Sequence, residues 1–337
     1  WVPNRAWLAF GVLVSVTFVL GRTLSRHSSS PVAAVVETVG MGLLGCVFLT
    51  ATAMLLADLV TAFGLLFKSW APSVRGAALI VGGFLSLTAI VQGNREPAIV
   101  EYEATLPGLP AALDGTVLVA LSDAHVERRA DGVWLSECMT QVRELSPDIV
   151  VFVGDMFDGH DEEALEIPAL RELNPPLGKW FVVGNHEMHR RGGVRTAPLD
   201  THGFRRLANE SVEAAPGLVL AGVDDLTRLR RRKDLDPVGL ALGDRPRGAT
   251  IMLSHTPWEA ERAAGQGVGL MLSGHTHGGQ IWPFGYLVRT RYPLFAGAYD
   301  VGPMTVIVSR GVGTWGPRMR LWHRGEIVKV TLRTPPS

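Results

Sequence analysis

The sequence predicts an α/β domain, a two-sheet sandwich flanked by helices, set behind an all-α region of transmembrane character. Three observations predict it. Between residues 117 and 184, short apolar runs alternate with helical patterns, which implies parallel strands joined by right-handed crossovers. Further runs at Leu218–Val223, 305–309 and 327–332 follow without such regular helices, and a two-sheet sandwich fits this. Three long uncharged segments fill the first ninety residues.

Those segments come first in the chain. Residues 6–20 carry no charge and lie between Arg5 and Arg22, residues 38–57 lie between Glu37 and Asp58, and residues 76–94 between Arg75 and Arg95. A bilayer core of ~30 Å takes about 20 helical residues, with roughly 17 as the lower bound. The second and third segments meet that length and the first is marginal. None shows the polar face of a soluble amphipathic helix, so three spans are expected. Gly40, Gly42, Gly45, Ala51 and Ala53 would allow close helix packing, and the apolar pattern resumes after Asp58 as far as Phe67. Arg5, Lys68 and Arg75 fall on one side of a three-span arrangement and Arg22, Arg26 and Arg95 on the other. Loop charge therefore leaves the side of the following domain open.

At 337 residues the chain exceeds the usual length of one domain. Hydrophobic residues make up 47% of it and charged residues 19%, and the apolar excess lies before residue 93. The expected division is a helical multi-pass membrane region over 1–93, a linker over 94–115 and an α/β domain over 116–337. Pro97, Pro107 and Pro110 mark the linker, and residues 99–103 within it read as an edge strand. The chain begins on Trp1 rather than Met, as expected of a piece of a longer protein. Net charge is zero, which gives no case for a nucleic-acid partner. Cys46 in a span and Cys138 on a helix make no disulfide framework.

In the α/β domain each apolar run ends on a residue able to bind a divalent metal. Val117–Leu121 runs into Asp123, residues 148–153 into Asp155, and residues 180–183 into Asn185 and His186. Residues 250–253 precede His255 and residues 268–272 precede His275. Strand ends on one sheet edge open into a crevice where ligand sites gather. Between them, Leu135, Met139, Val142 and Leu145 stand at helical spacing over 134–145.

The resulting pattern is Asp123-x-His125, Gly154-Asp155-x-x-Asp158, Gly184-Asn185-His186-Glu187, His255 and Gly274-His275-Thr276-His277. Carboxylate, imidazole and amide oxygen without thiolate suit Mn, Fe or Zn. Two such ions side by side clamp a phosphate and make hydroxide from water at neutral pH. Glycines at 154, 184 and 274 permit sharp turns and close backbone approach. Taken singly the motifs have plainer readings: a solvent-facing histidine, a Gly-Asp turn, or a helix start capped by Asn185. Five strand ends carrying ligand chemistry together outweigh them.

On these motifs the last two-thirds of the chain resembles the calcineurin-like metallophosphoesterases. Ser254-His255-Thr256-Pro257, residues 273–280 and residues 309–317 carry a further likeness to membrane-associated bacterial phosphodiesterases, the group that includes UDP-diacylglucosamine pyrophosphatases. The resemblance implies a four-layer αββα fold and two divalent metal ions. It implies that Asp123, His125 and His277 hold one ion, that Asn185, His255 and His275 hold the other, and that Asp155 bridges both. It implies metal-bound hydroxide as nucleophile, His186 as the general acid and Asp158 as its orienting partner. Protein serine/threonine phosphatases of the superfamily carry arginine just after the second aspartate of the second motif. Here that position is Gly159, which argues against a phosphoprotein substrate.

The expected activity is hydrolysis of a phosphodiester or pyrophosphate at the membrane, with a lipid-linked substrate favoured. A tethered phosphodiesterase of soluble nucleotides or cell-wall polymers is the alternative. A non-catalytic sensor would be expected to lose ligands, and none is lost. Two stretches add to this. Arg228 and the basic residues 230–233 form a solvated loop or a contact to anionic lipid headgroups. Ile281, Trp282, Pro283, Phe284, Tyr286 and Leu287 form ordinary packing, a wall for an acyl chain or a membrane-facing lip.

Overall fold

The computed structural model describes residues 4–28, 30–127, 129–158, 167–188, 194, 197–229 and 234–336. The chain divides into two compact units. One takes the chain up to Arg95 together with Gln280–Gly285 and Thr314–Arg324, and the other takes Glu96–Gly279, Tyr286–Gly313 and the chain from Gly325 on.

The first unit contains α1 (Asn4–His27), α2 (Pro31–Val60) and α3 (Ala71–Gly93). Ser30 caps α2 by accepting the Ala33 N–H at 3.2 Å, and Pro31 follows at the first helical position, where a missing N–H costs nothing. All three helices are long and apolar enough to cross a membrane. Their limits differ from the uncharged segments. α1 extends beyond residues 6–20 at both ends, and α2 takes in Glu37 and Asp58. The reason is pairing between helices: Arg22 donates to Glu37 at 2.9 Å and Arg75 to Asp58 at 2.7 Å. At 30 residues α2 is about 45 Å long. The apolar residues after Asp58 do not prolong it beyond Val60. Ala62, Phe63, Gly64 and Phe67 turn the chain through left-handed conformations, and Phe63, Leu65, Leu66 and Phe67 stand exposed.

Small residues set the helix contacts. A Cβ on Gly40 would strike the backbone of Phe18, and one on Gly82 the backbone of Thr50, so both crossings depend on glycine. Gly42 meets nothing, and Ala51 is exposed. Ile281, Met319 and Leu321 pack with Leu49 and Ala89 in a cluster of their own. Two hydrogen bonds fasten the same loops, one within the backbone from Arg320 N–H to Ala89 O at 2.9 Å and one from Trp322 N–H to the Gln92 side-chain Oε1 at 2.8 Å. The apolar stretch after His277 thus contributes Ile281 and Trp282 to packing within the helical unit.

Among the described residues the second unit has two six-stranded sheets. In the first, β1 (Ala98–Thr105) lies at the edge parallel to β12 (Glu326–Arg333), which runs antiparallel to β2 (Val117–Leu121). β3 (Ile149–Val153), β4 (Lys179–Val182) and the short β5 (Arg205–Arg206) continue parallel to β2. The second sheet centres on parallel β7 (Leu218–Val223), β8 (Ala249–Ser254), β9 (Leu270–Ser273) and β11 (Met304–Val308). Antiparallel β6 (Glu210–Ala215) and β10 (Gly297–Val301) close its edges.

Strand alternation builds the layers. Leu118 and Ala120 on β2 and Val151 and Val153 on β3 meet Leu220, Ile251, Leu253 and Leu272 of the other sheet in one core. Their neighbours Val119, Leu121, Val150 and Phe152 face the opposite way, onto α4 (Arg129–Glu144) through Leu135, Met139 and Val142. On the far side, Met252 and Met271 pack against helices Pro237–Gly243 and Ala260–Gly265. The order is helix, sheet, sheet, helix, the four-layer αββα arrangement expected. The outward loops of β2, β3, β4, β8 and β9 carry Asp123, Asp155, Asn185, His255 and His275.

Candidate metal centre

The loops that carry the site are held in unusual backbone conformations. Asp123 (φ 54°), His125 (48°), Asp155 (53°), His275 (71°) and His277 (52°) all lie in the left-handed region that L side chains avoid. Each such residue costs on the order of 1–3 kcal/mol and persists only where its surroundings enforce it. Backbone bonds between loops do the enforcing here. Asp123 N–H donates to Gly154 O at 3.0 Å, His125 N–H to Asp155 O at 3.1 Å and Gly274 N–H to His255 O at 2.9 Å. Gly154 is left-handed too, and a Cβ there would come within 2.6 Å of His255 Nδ1. Gly184 and Gly274 lie as close to the carboxylates of Asp155 and Asp123.

Six of the sequence-derived candidates fall into two groups of potential ligand atoms, each within 4.8 Å of one another: Asp123, His125 and His277, and Asp155, His255 and His275. In the first, His125 Nε2 is 3.1 Å from His277 Nε2, and His277 Nε2 is 3.5 Å from Asp123 Oδ1. In the second, His255 Nε2 is 3.1 Å from Asp155 Oδ2 and 3.2 Å from His275 Nδ1. A third group, His125, Asp155 and His186, ties the two together and brings in His186. His186 Nε2 stands 3.9 Å from Asp155 Oδ2, and its Nδ1 meets Asp158 Oδ1 at 2.6 Å. Its side chain is 25% exposed against 0–11% for the aspartates and histidines of the first two groups for which exposure is given, so it faces the outside of the cluster. Asn185 is half-buried in the turn between Gly184 and His186.

Outer partners fix these rings. Asp158 serves two of them, since its Oδ2 also accepts from His125 Nδ1 at 2.8 Å. The resemblance implied only its contact with His186. His255 Nδ1 donates to Val153 O at 2.8 Å, and His275 Nε2 meets the Tyr292 hydroxyl at 2.8 Å. Glu187 is buried and is no ordinary first-turn residue. It accepts the backbone N–H groups of Asp155 (3.0 Å), Met156 (2.7 Å), Phe157 (3.2 Å) and Gly184 (2.7 Å), stitching the second and third motifs together. Sequence reasoning missed Tyr292, which stands fifteen residues beyond His277 with no motif around it. The loop after β11 encloses Asp123: Val312 N–H donates to Ser122 O at 2.9 Å and Gly313 N–H to Asp123 O at 3.0 Å.

The electrostatics suit a cation. Burial by itself would lift the carboxyls of Asp123, Asp155 and Asp158, but the surrounding imidazoles outweigh it and hold all three below the usual carboxylate range. Burial opposes the charged form of His125 as well, yet Asp158, Asp155 and Asp123 raise its pKa to about 9. Burial and the charge of His255 push His275 down to about 4. His186 lies above the ordinary imidazole value, because the Asp158 bond and the Asp155 charge exceed the effect of its burial. Oxygen and nitrogen donors without sulfur, gathered from strand ends and kept anionic at their carboxylates, fit two divalent ions of the Mn, Fe or Zn type. Gly159 and the basic residues 230–233 lie outside the described residues.

Residues 116–279 match the model of the calcineurin-like phosphoesterase family. A transmembrane protein with metallophosphoesterase domain from Danio rerio is 32% identical over 272 residues, covering 76% of this chain and 62% of its own length. An uncharacterized metallophosphoesterase from Aquifex aeolicus is 40% identical over 243 residues, covering 70% of this chain and 91% of its own. This chain therefore spans less than two-thirds of the zebrafish relative and nearly all of the bacterial one. A solved dimetal phosphatase from Danio rerio covers 65% of this chain and 93% of its own at 14% identity and a TM-score of 0.33, a likeness too loose to carry weight.

Proposed function

The chain belongs to the calcineurin-like phosphoesterase family, and from that premise we propose that it is a membrane-bound hydrolase of phosphodiester or pyrophosphate bonds that uses two divalent metal ions and acts on a lipid-linked substrate. The observation that carries the hydrolase reading is the pair of adjoining ligand groups with His186 at their outer edge. Asp123, His125 and His277 would hold one ion, Asn185, His255 and His275 the other, with Asp155 shared. When bound, the ions would neutralise phosphate charge and lower the pKa of water so that it attacks phosphorus at neutral pH. Asp123 and Asp155 would supply the negative charge that holds the ions. His186 holds its Nε2 3.9 Å from Asp155 Oδ2 on a side chain that is a quarter exposed, where it would give a proton to the leaving oxygen. Asp158 holds the opposite ring nitrogen and keeps that orientation.

Three apolar helices of spanning length support action at a membrane, as does the zebrafish relative's description as a transmembrane protein. The lipid-linked reading rests on the three apolar helices of spanning length carried by the same chain and on its likeness in sequence to the pyrophosphatase subgroup. The test is to purify the chain in detergent, measure bound metal, and compare hydrolysis of a lipid pyrophosphate in mixed micelles with that of bis-p-nitrophenyl phosphate. Two metals per chain and a preference for the lipid are expected. Equal or better turnover of soluble diesters would favour the tethered phosphodiesterase, and no metal-dependent turnover of either would sink the hydrolase reading.

A further inference from the structure

Tyr292 lies outside every motif, yet its hydroxyl is 2.8 Å from His275 Nε2. The other ring nitrogen, Nδ1, faces the cluster, 3.2 Å from His255 Nε2. With Nδ1 as the donor to a metal, the ring proton sits on Nε2, and that N–H donates to the Tyr292 oxygen. The tyrosine in turn is fixed on two sides. Its N–H bonds to Val288 O at 2.9 Å, at the end of helix Phe284–Arg291. Its ring stacks on Trp258 with centroids 5.6 Å apart and planes 17° apart, and the Arg291 guanidinium lies 4.6 Å from the Trp258 ring centre. Trp258 stands three residues after His255, and the intervening Thr256 is anchored by its hydroxyl donating to Asp225 at 2.7 Å. The stack thus braces the tyrosine that meets His275. The group that contains Asp123 has a different support, Asp158 on His125.

We propose that Tyr292, backed by Trp258 and Arg291, is a positioning residue that fixes the ring of His275 and thereby sets the affinity of one of the two metal sites without altering the other. This rests on the two-metal reading above. A metal-ligating histidine whose outer hydrogen-bond partner is removed loses typically 10–100-fold in metal affinity. The loss is confined because, among the described interactions, Tyr292 bonds to none of Asp123, His125 and His277, and the link from His275 to Asp123 runs through the backbone N–H of His275, at 3.0 Å, and not through the ring that Tyr292 fixes.

The experiment titrates Co²⁺ into the detergent-solubilised full chain after chelator treatment, following heat and the visible absorption of the bound ion. Wild type should show two events. Tyr292→Phe should weaken one of them by about 10–100-fold and shift its absorption band, leaving the other event and the thermal unfolding of the metal-free chain unchanged. Tyr292→Gln, which returns an acceptor oxygen, should recover part of the loss, and Arg291→Gln should produce a smaller shift in the same event. Equal weakening of both events, no weakening of either, or no recovery by glutamine would overturn the proposal. Fewer than two events in wild type would instead remove the two-metal reading on which it rests.

Discussion

His125 gives its outer nitrogen to the carboxylate of Asp158 at 2.8 Å, whereas His255 gives the same atom to the carbonyl of Val153 and His275 rests its outer nitrogen on the Tyr292 hydroxyl, both also at 2.8 Å. The two ligand groups draw on the same residue types and differ in what stands behind them. An ionised partner makes a stronger hydrogen bond than a neutral one and makes the imidazole a better donor on its other side. The Asp123 group should therefore hold its ion more tightly than the His255 group. It is also the group wired to His186, because Asp158 touches both rings. On the proposed roles, metal binding and proton delivery would share a carboxylate on one side of the cluster only.

The largest effect should come from the residue common to both sides. Asp155 takes part in two of the three ligand groups and accepts the His186 N–H from the backbone at 2.9 Å. Asp155→Asn keeps the shape and removes the charge, so both metals and all turnover should fall together, by more than the roughly 10–100-fold expected of an outer partner. Metal content measured beside activity checks this. A variant with two ions and full turnover would end the idea of a shared ligand and leave two independent sites.

His186→Ala comes next and separates proton delivery from metal binding. If His186 is the acid, both ions stay and hydrolysis of an ester with an alkoxide leaving group slows by about 10²–10⁴-fold. A p-nitrophenyl ester should slow far less, because p-nitrophenolate leaves without a proton. His186 also lies within ligand range of His125 and Asp155, so loss of an ion in this variant would make it a ligand instead.

What the sequence disclosed and what it hid follow one rule. The five candidate ligand loops were legible because each sits a few residues past an apolar run, and a buried strand that ends in a carboxylate or imidazole is a local signal. The four layers followed from the same runs, since Leu118 and Val119 must face opposite sides. Contacts between distant segments left no local trace. Glu37 and Asp58 read as the limits of a span, yet α2 encloses both because Arg22 and Arg75 on neighbouring helices neutralise them. The stretch 281–287 showed apolarity but no period that would assign Ile281 to Leu49 and Ala89. Tyr292 and the second contact of Asp158 were hidden for that reason, and so were the left-handed conformations at Asp123 and His125, which the fold imposes against residue preference.

Asp158→Asn sharpens the asymmetry. The amide weakens the bond to His125 and to His186 at once. Affinity at one metal site should drop about 10–100-fold while the other is kept. At saturating metal, a weaker copy of the His186→Ala pattern should remain, with the alkoxide ester slowed more than the p-nitrophenyl ester. If metal saturation restored both esters fully, Asp158 would serve His125 alone, and the link between metal binding and proton delivery would be gone.

The smallest expected effect is the proton release that accompanies metal binding. In the metal-free protein, the three neighbouring aspartates raise the His125 pKa to about 9 and Asp158 stays ionised. The sign is that of a group stabilised in its charged form: this contribution to stability is complete below the unfolded imidazole value of roughly 6.5 and is lost as pH rises through about 9. Metal requires the neutral ring, so an ion entering the Asp123 group at pH 7 must displace the His125 proton. His275, pushed down to about 4, is already neutral at that pH and releases none, but His255, which Asp155 holds well above the ordinary imidazole value against its burial, must give up a proton to the ion entering its group. Calorimetry at pH 7 in buffers of different ionisation enthalpy should therefore find proton release with both events, that of the Asp123 group falling away as pH passes about 9. A tighter event without proton release would take His125 out of the tighter site.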